Sequence, residues 1–251
     1  MLINQVGRLI TDYYSIKKLN ENSFKIIYLK QPIQTPGYER EKINRDINDK
    51  KLDNSISRSR TRIFEYSMCN KFEYFITLSL NGEKKNRYEL KPFIKDLGQF
   101  IRDYRKKYKV DIQYILIPEK HKDGAWHMHG LIKGIPESHL HINDNGYLDW
   151  KAYKDKFGWI SLGKVKNQEA VSKYITKYIT KSFNSNMGVI EKEQKLYYVT
   201  RGLKKPEVIK KGSLPTRQLE AIPWTYKNEY FNECLCNKKT LQQHFNIDLD
   251  Y

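Results

Sequence analysis

Apolar positions recur with readable periods between residues 72 and 183 and much less clearly outside them. Residues 72–80 are mostly aromatic, β-branched or aliphatic and end at Asn81-Gly82, which predicts a strand. From 89 to 108, Phe93, Leu97, Ile101, Tyr104 and Tyr108 return every three or four positions. That spacing predicts an amphipathic helix with its basic face outward. Residues 112–118 read as a buried strand, 120–124 as a polar turn, and 126–134 as the antiparallel partner. Residues 136–153 look irregular, with a turn at 143–146. A further strand is predicted over 158–165, a helix from Asn167 or Gln168 to about Phe183, and a last strand over 195–202.

This order predicts an α+β domain: a central antiparallel sheet with helices on one face, of ferredoxin-like or RRM-like build. The expected organisation is a basic N-terminal extension over 1–65, with some helix and a break at Pro36-Gly37. The core domain follows over 66–205, and a C-terminal tail with local structure over 206–251.

Composition narrows the partners. The 251 residues carry a net charge of +17, and 39% are apolar and 13% aromatic. Such a basic excess calls for a polyanion, because Lys and Arg release condensed counterions from phosphates. Nineteen tyrosines and ten phenylalanines beside the cations favour unstacked bases, hence single-stranded nucleic acid. No apolar run approaches the roughly 20 residues of a spanning helix, so no membrane partner is expected. The N-terminus shows no signal-peptide core, and three cysteines are too few for a disulfide framework. A cytoplasmic setting is expected. Cys234, Cys236 and His244 match no common zinc spacing. No GxxxxGK loop followed by Ser or Thr occurs, so no NTPase or helicase module is expected.

His127-Met128-His129-Gly130 carries candidate chemistry. In a strand, alternate side chains share a face, so both imidazoles point one way and Met128 the other. Two imidazoles and a carboxylate hold a divalent cation while leaving positions open for a phosphate. An antiparallel hairpin brings Glu119 back beside the pair as third ligand; His121, of the same parity, is its competitor. His139-Leu140-His141 repeats the pattern in a poorer strand context.

Downstream, Val171, Ile175 and Ile179 form the core stripe of a helix, and Lys173, Lys177 and Lys181 a basic ridge. Tyr174 and Tyr178, one helical turn apart, fall between them. A phenol with a pKa of about 10 is a poor nucleophile at neutral pH. Lys177 can stabilise phenolate and phosphate charge, and a metal on the adjacent sheet can polarise the scissile phosphate. Arg58, Arg60 and Arg62 form a basic cluster read as a phosphate-contacting arm.

Three segments together resemble the HUH-endonuclease superfamily, within it the rolling-circle replication initiators of plasmids and single-stranded DNA phages. They are Phe75-Ile76-Thr77-Leu78-Ser79, His127-Met128-His129, and the doublet Val171-x-x-Tyr174-Ile175-x-Lys177 with Ile175-x-x-Tyr178-Ile179-x-Lys181. Ser79 stands where many members have Thr. The resemblance implies nicking of single-stranded origin DNA, often in a hairpin, through a 5′-phosphotyrosine that leaves a 3′-hydroxyl primer. It implies Mg²⁺ or Mn²⁺ on His127, His129 and Glu119. Tyr174 and Tyr178 inherit the nucleophile role, as in the paired-tyrosine branch, with Tyr174 slightly ahead. Lys173 and Lys181, with the arginines, are expected on DNA, and unwinding and synthesis are expected from a helicase and polymerase of a bacterial host. A single-strand transposase of the same superfamily and a non-catalytic RRM-like binding module are the rival readings.

Overall fold

The computed structural model describes residues 9–34, 48–184 and 195–245, with backbone alone at 48–54 and 180–184. The chain divides into two units, one formed by residues 48–204 and the other by both terminal segments. Among the described residues no helix is long and apolar enough to cross a membrane.

The central unit begins with helix α1 (Asn48–Cys69) and strand β1 (Tyr74–Ser79). Helix α2 (Leu90–Tyr108), β2 (Gln113–Lys120) and β3 (Trp126–Lys133) follow. The segment expected to be irregular holds β4 (Leu140–Ile142) and β5 (Leu148–Trp150), paired with each other, and then α3 (Lys151–Lys156). The unit ends with β6 (Ile160–Lys164), α4 (Gln168–Asn184) and the short β7 (Tyr198–Val199). The sheet is antiparallel throughout, in the order β7-β2-β3-β1-β6-β5-β4. The α+β architecture is the expected one.

Helices cover both faces rather than one. Tyr74, Ile76, Leu78, Met128 and Ile132 pack with Phe93, Leu97, Phe100 and Ile101 of α2. The opposite parity, Ile115, Ile117 and Leu131, packs with Ile63 of α1 and Ile175 and Ile179 of α4. The cause is in the strands: β2 reads Tyr-Ile-Leu-Ile and is apolar on both sides, so both sides need cover. Buried hydroxyls fasten the second layer. Ser67 of α1 and Ser172 of α4 lie 2.6 Å apart, and the Gln168 amide donates to the Ser67 carbonyl at 2.7 Å.

The terminal segments differ from the expected extension and tail. Tyr13–Lys18 and Phe24–Leu29 form a hairpin, flanked by Glu207–Ser213 on one side and by Phe231–Cys236 and Tyr226–Lys227 on the other. This five-stranded sheet has its own core of Tyr14, Ile16, Phe24 and Ile26 against Leu219, Ile222, Leu241 and Phe245. The boundary also moves: residues 48–65, expected in the extension, belong to α1 of the central unit.

Gly130 permits the close approach of β3 to β2. A Cβ there would run into the Ile115 carbonyl oxygen, well inside van der Waals contact. Gly130→Ala is therefore expected to destabilise the fold by about 1–3 kcal/mol, the usual cost of overpacking, read as a lower urea midpoint. An unchanged midpoint would mean the strands can part at no cost.

Candidate active site

Strand register builds the site. Across the sheet, His127 faces Glu119 on β2 and Ser79 on β1; His129 faces Ile117 and Thr77. Alternation sends His127, His129, Glu119, Thr77 and Ser79 to the face under α4, and Met128 into the core on the α2 side.

Each imidazole is held at Nδ1 by a hydroxyl. Thr77 Oγ1 lies 3.1 Å from Nδ1 of His129, and Ser79 Oγ lies 2.8 Å from Nδ1 of His127. Such contacts fix ring orientation and leave the other nitrogen, Nε2, as the ligating atom. These two hydroxyl roles are not readable along the sequence, because they depend on the register between strands some fifty residues apart. Their only local signal is the alternation of Thr77 and Ser79 on one face of β1.

Glu119 is buried, and its Oε2 lies 2.6 Å from Nε2 of His129. His121 lies just past the end of β2, exposed, with its ring 4.7 Å from that of His127 at 33°. Burial first, then the neighbouring His121 and His129, hold the His127 imidazole below its ordinary range. The neutral form so favoured is the one that ligates a metal.

His127, His129 and Glu119 are the residues that could hold a divalent cation. Among the described residues, no three His, Cys, Asp or Glu side chains already form a metal-holding cluster. Here Glu119 and His129 are closed on each other, with one proton between them; a cation would take the place of that proton. The donor set, a carboxylate and two oriented imidazoles, suits such an ion chemically.

Above this face, α4 carries the tyrosines. The Tyr178 ring stacks on His129 at 4.1 Å and 15°. The Tyr174 and Tyr178 hydroxyls are 2.9 Å apart. Phe75 of β1 supports both rings, at 5.4 Å from Tyr174 and 6.0 Å from Tyr178. Burial, then the hydrogen bond to Tyr174, push the Tyr178 phenol well above the ordinary range. Tyr174 is 45% exposed. The Lys177 ammonium lies 5.7 Å from its ring centroid. Sheet and helix thus bring His127, His129, Glu119, Tyr174, Tyr178 and Lys177 into one place.

Residues 73–183 match the family model for replication-associated proteins of the ORF2 and gene 2 protein type. The matched stretch runs from β1 to α4 and contains all six of those residues. It supports a Rep-type replication initiator that acts on DNA. No curated protein and no solved structure matches the chain.

Other expected residues fall elsewhere. His139 lies 2.6 Å from the Tyr104 hydroxyl through Nδ1 and packs against Tyr108, while His141 is on β4 at the far edge of the sheet. Arg58, Arg60 and Arg62 do not form one cluster. They are exposed on α1, where about 100° per residue puts Arg58 and Arg62 near one face and Arg60 near the opposite one. Lys173 is exposed and pairs with Glu169 at 2.5 Å. The side chain of Lys181 lies outside the described residues.

Proposed function

We propose that the protein initiates rolling-circle DNA replication by nicking single-stranded origin DNA through a 5′-phosphotyrosine and later rejoining it. The observation that carries this reading is the stacking of Tyr178 on His129, with Tyr174 hydrogen-bonded to Tyr178. It joins a nucleophile pair to the residues suited to a metal.

A Mg²⁺ or Mn²⁺ ion bound by His127, His129 and Glu119 supplies Lewis-acid polarisation of the scissile phosphate. Thr77 and Ser79 hold the two imidazoles at their Nδ1 atoms throughout. A tyrosine Oη attacks phosphorus and loses its proton; the bond from phosphorus to the 3′ oxygen breaks, and that oxygen takes up a proton. The products are a phosphotyrosine on the 5′ side and a free 3′-hydroxyl. Lys177, beside Tyr174, offsets the charge of the phenolate and of the transferring phosphate. Rejoining runs the same exchange backwards, so no external energy source is needed. Helicase and polymerase functions come from other proteins in this reading.

The RRM-like binding module is disfavoured by the cover on the sheet. Helices α1 and α4 occupy the β2–β3 part of the face on which such a module stacks its bases.

The test is incubation with labelled single-stranded origin DNA and Mn²⁺, resolved on a denaturing gel. A protein–DNA adduct should form and should vanish in the Tyr174→Phe, Tyr178→Phe double variant. Intact binding without an adduct on any cognate strand would sink the nicking mechanism.

A further inference from the structure

We infer that the uncovered strip of the same sheet face, along β6, seats single-stranded DNA, with Trp159 stacking on a base next to the attacked phosphate. The inference rests on the nicking reading and names a contact it does not require.

Register places the tryptophan. Ile160 pairs with Leu78, Ser161 with Thr77, and Gly163 with Phe75. The Ser79 amide donates to the Trp159 carbonyl at 2.9 Å, which carries the ladder one residue further. Ile160 and Leu162 enter the core on the α2 side, so Trp159, Ser161 and Gly163 belong to the opposite face, that of His127 and His129. Two rows result across β3, β1 and β6: His127, Ser79, Trp159 and His129, Thr77, Ser161. Two strand spacings separate Trp159 from His127, about 10 Å between Cα atoms.

The strip is open. Trp159 is 55% exposed, Ser161 is exposed, and a Cβ added to Gly163 would meet nothing within 4 Å. Helix α4 packs over β2 and β3 instead. Its exposed Tyr174, against Phe75 in the row of Gly163, marks the other end of the strip.

The occupant follows from shape and charge. An indole left half in water beside a phosphate-cleaving site offers a flat apolar face, and every unpaired base has a matching one. Duplex bases are stacked on each other and present no such face. Ser161 offers a hydroxyl and Lys177 an ammonium to the backbone, and the chain's net charge of +17 suits a polyanion.

The experiment uses the full chain in EDTA, so that no cleavage intervenes, with a fluorescent oligothymidylate followed by polarisation. Trp159→Ala is expected to weaken binding roughly tenfold, within the range of one base stack, and Trp159→Phe to retain most of the affinity. The salt dependence should stay unchanged, because no phosphate contact is lost. A duplex of equal length should bind both chains alike. Unchanged affinity in a folded Trp159→Ala chain would overturn the assignment. So would an equal loss on duplex, or tighter binding of oligouridylate than of oligothymidylate. Because binding is read without metal, a missing adduct with the Trp159 effect intact would count against nicking alone.

Discussion

Tyr174→Phe should cut adduct formation on single-stranded origin DNA by more than about a thousandfold, the scale of losing a covalent nucleophile, while Tyr178→Phe slows it far less. The two phenols are one helical turn apart and share a hydrogen bond, yet their surroundings differ. Tyr174 is half exposed, with Lys177 beside its ring, where a DNA phosphate can reach it. Tyr178 lies against His129 and Phe75, and its phenol is held well above the ordinary range by burial and by Tyr174. A higher pKa leaves a smaller ionised fraction at neutral pH, so Tyr178 is the weaker nucleophile of the pair. Its stacking and hydrogen bond suit it to place the Tyr174 hydroxyl over the metal-side face. The measurement is a time course of adduct on a denaturing gel, with mass spectrometry of the DNA-bearing peptide. Attachment at Tyr178 in the unaltered chain, or a full rate in Tyr174→Phe, would reverse the assignment.

The parts of this structure that were readable in sequence are those with local periodicity. Helix α4 has the core stripe of Ile175 and Ile179 that its spacing implies, and the β2–β3 hairpin has the turn and partner expected. The hairpin also explains why Glu119 could be placed beside the histidines: eight residues and one turn fix that geometry. What was not readable depends on distant pairing. Ser213 sits opposite Tyr13, so the terminal sheet has no signature in either segment alone. The hydroxyls of Thr77 and Ser79 find the histidines only through the β1–β3 register. The two-sided helical cover was available in principle. A strand reading Tyr-Ile-Leu-Ile is apolar on both faces, which conflicts with a sheet covered on one. The arginine trio misled for the opposite reason: proximity in sequence became dispersion once α1 formed.

Glu119→Gln is expected to lower Mn²⁺ affinity more than about tenfold, and His121→Ala to change it by less than about threefold. Both residues were candidates for the third ligand, and the fold treats them differently. Glu119 lies within β2, in register with His127, buried, with its carboxylate on His129. His121 lies past the strand end, exposed, with its ring alongside that of His127. A ligand fixed by a strand and by burial loses little entropy when a cation arrives; an exposed residue in a turn loses more. The Gln substitution keeps size and a hydrogen bond to His129, so lost affinity would report lost charge rather than collapse of the site. Calorimetric titration of the full chain with Mn²⁺ measures both effects without any DNA. The reverse ranking would make the site three-histidine. Affinity should also fall as pH drops through the imidazole range, because protons compete for the same nitrogens. Burial moves that fall at His127 to lower pH than an ordinary histidine would give, since its imidazole resists protonation. The carboxylate contributes in the same direction: once protonated, Glu119 no longer offers a charge to the cation, so acid weakens the site through both ligand types.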